Sequence, residues 1–76
     1  MITVKLYGLL RIDSGIKECR IEAERITDVL NDLAMRGIPR KALKGCTVLI
    51  NGKTATNRSV LKDGDVVQLL SPVAGG

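Results

Sequence analysis

The sequence has no histidine, tryptophan or phenylalanine, and Tyr7 is its only aromatic residue. Without histidine it lacks the usual general base near neutral pH and the commonest metal ligand, which argues against a self-contained hydrolase or a zinc centre. One ring is too few for the stacking platforms that hold single-stranded nucleic acid. Only two cysteines are present, Cys19 and Cys46. Two distant thiols make neither a metal-ligand spacing nor the four-cysteine set of an iron–sulfur cluster. No apolar run approaches the ~20 residues of a membrane span. The opening Met-Ile-Thr-Val-Lys-Leu is too short and too alternating for a signal peptide, so a soluble, cytoplasmic protein is expected.

What remains is 76 residues with a formal charge of +4 and an almost wholly aliphatic apolar set. That length suits one small domain burying about 60% of its unfolded surface. The cations are scattered, and only Arg36 to Lys44 is locally dense. The basic balance therefore reads as a solvated face rather than a nucleic-acid footprint.

Periodicity supplies the elements. Ile2, Val4 and Leu6 alternate with Thr3, Lys5 and Tyr7, the mark of a half-buried strand. Asp13-Ser14-Gly15 signals a turn in the segment Gly8 to Gly15. Alternation resumes from Lys17 to Ala23, with Cys19, Ile21 and Ala23 inward, so the first two strands form a hairpin. Ile26, Val29, Leu30, Leu33 and Ala34 then recur at helical spacing. Thr27 is the expected N-cap, with Asp28 favouring the positive helix end. Gly37 and Pro39 supply the stop, and Pro39 to Lys44 suits a further short turn of helix.

Cys46 to Ile50 reads as a third strand, closed by Asn51-Gly52, the pair that a type I′ turn demands. Lys53 to Ala55 is a brief return strand. Thr56 to Lys62 is a polar connection with Val60 and Leu61 tucked in. Asp63-Gly64-Asp65 is another turn, and Val66 to Leu70 is the last strand, with Val67 and Leu69 inward. The expectation is an α+β fold: a mixed sheet of four to five strands with one main helix across one face, and the first and last strands adjacent at its centre.

Pro72 cannot donate to a sheet ladder, so pairing should end near it. Residues 1–71 are expected to form the domain and residues 72–76 a flexible tail. The sequence given stops on Gly75-Gly76. With glycine at about 7% of residues, such a pair arises by chance in about one chain in two hundred, too often to carry a function alone.

Taken together, this element order, the Asn51-Gly52-Lys53 hairpin, the Lys62-Asp63-Gly64-Asp65 turn and the ending Pro72-Val73-Ala74-Gly75-Gly76 resemble the ubiquitin-like sulfur carriers of the β-grasp type. The ending is most similar to the small subunit of molybdopterin synthase, and the thiamine-biosynthesis carrier is a relative. That resemblance implies a non-catalytic protein co-substrate. Its Gly76 carboxylate would be adenylated by an E1-like enzyme that uses ATP, then converted to a thiocarboxylate. The sulfur would pass to a precursor held by a larger synthase subunit, with no cofactor bound to the carrier itself. Gly75, Ala74, Val73 and Pro72 would thread the end into partner active sites. Where the family's last strand usually closes with an aromatic pair, this one reads Leu69-Leu70-Ser71.

Three outward residues on neighbouring strands, Tyr7, Leu49 and Leu70, form the expected partner-binding patch. Sulfur destined for thiamine or tRNA thiolation is an alternative, as is a modifier joined to target lysines through Gly76. A basic RNA-binding module is a third reading. It requires binding that weakens steeply with salt and function that survives loss of Gly75 and Gly76.

Overall fold

The computed structural model describes residues 1–71; Pro72 to Gly76 lie outside the described residues. Eight elements follow in order: β1 (Ile2–Tyr7), α1 (Leu9–Ser14), β2 (Glu18–Ile21), α2 (Ile26–Met35), α3 (Arg40–Lys44), β3 (Thr47–Ile50), β4 (Lys53–Thr54) and β5 (Val66–Leu70). The strands form one mixed sheet in the order β2-β1-β5-β3-β4. β1 and β5 run parallel at the centre, and the remaining neighbours are antiparallel. This is the expected β-grasp arrangement.

Alternation along β1 and β5 decides what the sheet buries. Val4, Leu6, Val67 and Leu69 point to one face and are essentially inaccessible to solvent. They meet Ile26, Val29 and Leu33, the apolar stripe of α2, in a single cluster. Each fully buried Val, Leu or Ile of this kind is worth about 1.5–3 kcal/mol. α2 ends as its sequence requires. The Gly37 amide bonds Ala34 and the Ile38 amide bonds Leu33, the paired bonds of a Schellman motif, with Gly37 at φ 103°. Ile38 then closes over the core beside Leu33. The hairpin joining β3 and β4 turns at Asn51 (φ 50°) and Gly52 (φ 86°), as a type I′ turn demands.

Four expectations need correction. The segment Gly8 to Gly15 is not merely a turn: Leu9–Ser14 is helical, and Asp13-Ser14-Gly15 is its C-terminus. Burial of Leu10 and a bond from the Ser14 hydroxyl back to the Leu10 carbonyl hold that short helix. Thr27 is not the N-cap. Arg25 occupies that position, extended and bridged to Val60, while Asp28 reaches back 3.1 Å to the amides of both Glu24 and Arg25. The carboxylate at the helix's third position thus satisfies donors before the helix, and Thr27 falls inside the first turn.

Val60 is exposed rather than tucked in. The backbones of residues 24–26 and 59–61 pair through Leu61 to Glu24 and Ile26 to Ser59 bonds. In such a bridge neighbouring side chains alternate, so when Leu61 faces the core Val60 must face out. The second to fourth strands are also shorter than their alternation suggested, ending where the ladder ends.

Two outcomes test this packing. Leu69→Ala should cost about 2–5 kcal/mol in denaturant unfolding, whereas Leu70→Ala, one residue on and facing out, should stay within about 0.5 kcal/mol. Asp65 gives a pH dependence. Its carboxylate accepts from the Lys62 amide and from the Asn51 side chain, which lowers its pKa below the ordinary 3.8. A depressed folded value stabilises above the unfolded pKa, and that contribution is lost as pH falls through the lowered value. The drop in thermal midpoint below about pH 4 should therefore be smaller in Asp65→Asn than in the parent protein.

Candidate functional site

β5 is a central strand, so the residue that follows it starts from the middle of the sheet's end rather than from an edge. Ser71 is that residue. Its hydroxyl accepts the Leu9 amide at 2.8 Å and donates to the Tyr7 carbonyl at 3.3 Å. The chain segment expected to carry the chemistry, Gly76 with Gly75, Ala74, Val73 and Pro72 before it, lies outside the described residues. Its root at Ser71 does not.

The outward sheet face stands beside this root. Tyr7 and Leu70 are register partners on β1 and β5, and Leu49 of β3 lies opposite Gln68. The structure thus brings all three expected patch residues onto one face of three adjacent strands. Leu70 is exposed, and Tyr7 and Leu49 are half-buried. Gln68 sits between Leu49 and Tyr7, and its amide donates to the Tyr7 hydroxyl at 3.1 Å. That bond pins the ring against the sheet and leaves a polar atom in the middle of an apolar patch.

On the helix side of the root, a cleft of about 400 Å³ is walled by Leu9, Leu10, Ile38, Pro39 and Ala42, with Asp13, Arg36 and Ser71 also in its lining. Arg36 in its lining pairs with Asp32, and Arg40 of α3 bonds Asn31. Between Asp32 and Asp63 the sequence holds Arg36, Arg40, Lys41, Lys44, Lys53, Arg58 and Lys62 and no acid. Within this stretch the cations fall at Arg36, on α3 (Arg40, Lys41, Lys44), on β4 (Lys53) and in the connection that follows (Arg58, Lys62).

The two cysteines are free and half-buried, and burial raises the pKa of both thiols. A thiol raised above its ordinary value is protonated at neutral pH and is a poor nucleophile. Neither cysteine is poised to carry sulfur. Among the described residues no group of His, Cys, Asp and Glu could hold a metal ion, and no helix is long and apolar enough to cross a membrane.

Sequence reasoning found the outward patch because period two is legible in short stretches. It did not find Ser71, Gly8 or Gln68. Their partners lie 61 to 64 residues away in the chain, and no local pattern marks them.

Comparisons with known proteins agree with this geometry. No curated protein matches the sequence. A chain of the complex of subunits 1 and 2 of the molybdopterin-converting factor from Helicobacter pylori is 28% identical, with 99% of this chain and 97% of that one covered at a TM-score of 0.76. Small archaeal modifier protein 1 from Methanosarcina acetivorans is 29% identical, covering 99% and 95%, with a TM-score of 0.80. A chain of the BexX/CysO complex from Amycolatopsis orientalis, at 24% identity, shares the fold over the whole of both chains with a TM-score of 0.79. The model of the ThiS family matches residues 4–76. With nearly its whole length inside that match, the chain belongs to the ThiS family of ubiquitin-like sulfur carriers.

Proposed function

We propose that this protein carries sulfur as a thiocarboxylate on Gly76 and delivers it to a molybdopterin precursor (of the molybdenum or tungsten cofactor) held by a larger synthase subunit. The observation that carries the reading is the family match running through residue 76, so that Gly75 and Gly76 fall inside it. The likeness to the Helicobacter pylori molybdopterin-converting factor complex supports the pathway.

A terminal carboxylate is a poor electrophile and is ionised at neutral pH, its pKa being about 3.3–3.7. Its oxygen attacks the α-phosphate of ATP on an E1-like partner, and pyrophosphate leaves. The resulting acyl adenylate is attacked at carbon by hydrosulfide, AMP departs as the acyl–phosphate bond breaks, and loss of the sulfur's proton leaves a thiocarboxylate. Ordinary side chains near the end would obstruct a narrow partner channel, whereas glycines at 75 and 76 let backbone approach backbone. The carrier supplies no acid, base or metal to these steps. Its contribution is a presentable end and a surface to dock, so it acts as a co-substrate of partner enzymes in the cytoplasm.

The likeness to a small archaeal modifier protein supports a second reading, conjugation of Gly76 to lysines of target proteins. Both readings share the activation step and differ in the nucleophile.

Intact-mass measurement after incubation with ATP, an E1-like enzyme and sulfide separates them. Exchange of one oxygen for sulfur on the free protein is expected, and exclusive formation of high-mass conjugates would favour the modifier. Removal of Gly75 and Gly76 should abolish both products; undiminished sulfur incorporation in the trimmed protein would sink the reading. For docking, Leu70→Asp should weaken binding to the large synthase subunit by about 2 kcal/mol in calorimetry, the loss typical of a central contact, while leaving the thermal midpoint nearly unchanged.

A further inference from the structure

The contact between Ser71 and the corner joining β1 to α1 is more specific than a strand end requires. Parallel pairing of β1 with β5 proceeds in register up to Tyr7 and Leu70. The residue after β1, Gly8, leaves the ladder at φ 65° and ψ −140° to start α1. The Ser71 hydroxyl fills the place left by that departure. It spans Gly8, bonding the carbonyl before it and the amide after it.

Gly8 is shaped to this hydroxyl. A Cβ built at position 8 would stand 2.3 Å from the Ser71 oxygen, far inside contact distance, and the positive φ independently disfavours any L side chain there. The Leu9 amide is one of the donors that a helix start leaves without an intrahelical partner, and Gly8 has no side chain to satisfy it. The acceptor comes instead from a residue 62 positions away. Two bonds and one steric fit thus converge on the last residue before Pro72.

We propose that Ser71 is a positioning residue: its hydroxyl latches the root of the C-terminal segment to the β1–α1 corner and fixes the point from which residues 72–76 begin. The proposal rests on the reading of Gly76 as the activated group. If the root were free, only a fraction of molecules would offer the end in the orientation a partner channel accepts. Apparent affinity falls by that fraction. Once the end is threaded, the partner holds it, and the chemical steps proceed unchanged. Loss of the latch therefore raises KM and spares kcat.

The test compares Ser71→Ala, Ser71→Val and Ser71→Thr with the parent protein, using two readouts. Amide hydrogen exchange reports the latch itself. Leu9 should exchange roughly fivefold faster in the Ala and Val variants, the equilibrium equivalent of one ordinary hydrogen bond. Leu6, whose amide bonds the Lys17 carbonyl within the sheet, should be unaffected. Steady-state activation by the E1-like enzyme reports the consequence: KM for the carrier should rise about threefold to tenfold with kcat constant. Thr, which keeps the hydroxyl, should restore both values, while Val, of the same shape, should not.

Unchanged Leu9 exchange in Ser71→Ala, or faster exchange with unchanged KM, overturns the proposal. A fall in kcat alone also overturns it, because that would place the hydroxyl's effect in the chemistry. Failure of the parent protein to be activated at all would sink the Gly76 reading, and Leu9 exchange would still judge the latch.

Discussion

The parallel pairing of β1 with β5 is the constraint on which the rest depends. The two strands come from opposite ends of the described chain, and only their contact closes the fold. Because both are central, each must be apolar on the face covered by α2, and their alternation supplies Val4, Leu6, Val67 and Leu69 for that purpose. The same alternation sends Tyr7 and Leu70 to the opposite face, where no described element covers them. Core and candidate docking surface are the two sides of one pair of strands, so a register slip of one residue would destroy both together.

This explains why so much of the molecule was legible in its sequence. Ile2 to Tyr7 and Val66 to Leu70 declare their buried faces by period two, and Asn51-Gly52 declares its turn by the positive φ angles only such residues tolerate easily. Gly37 and Pro39 end α2 for equally local reasons. The short helix Leu9–Ser14 was hidden because six residues are too few to establish a helical period, and its glycine read as a loop signal. Thr27 was mistaken for the cap because the true boundary depends on Arg25 being held extended by Val60, a contact across the fold. No local pattern marks the Ser71 hydroxyl or the Gln68 amide, because each meets a partner more than sixty residues away.

Chemistry and fold are divided in an uncommon way in this protein. The described residues hold no histidine, no lowered thiol and no metal cluster. Under the proposed function, reactivity falls to the backbone at Gly76 and the folded domain contributes recognition. The run of cations without an acid between residues 33 and 62 fits that division, since it would speed encounter with an acidic partner surface.

That Ser71 and the residues after it follow directly on a central strand has a mechanical consequence. Any pull that a partner exerts on the end is transmitted into β5, which is in register with β1 at five positions and with β3 at four. Tension along the strand loads these ladders in shear, all at once, instead of opening them one by one as it would at a frayed edge. If partners grip the end as proposed, the domain can therefore be handled from that side without being unzipped.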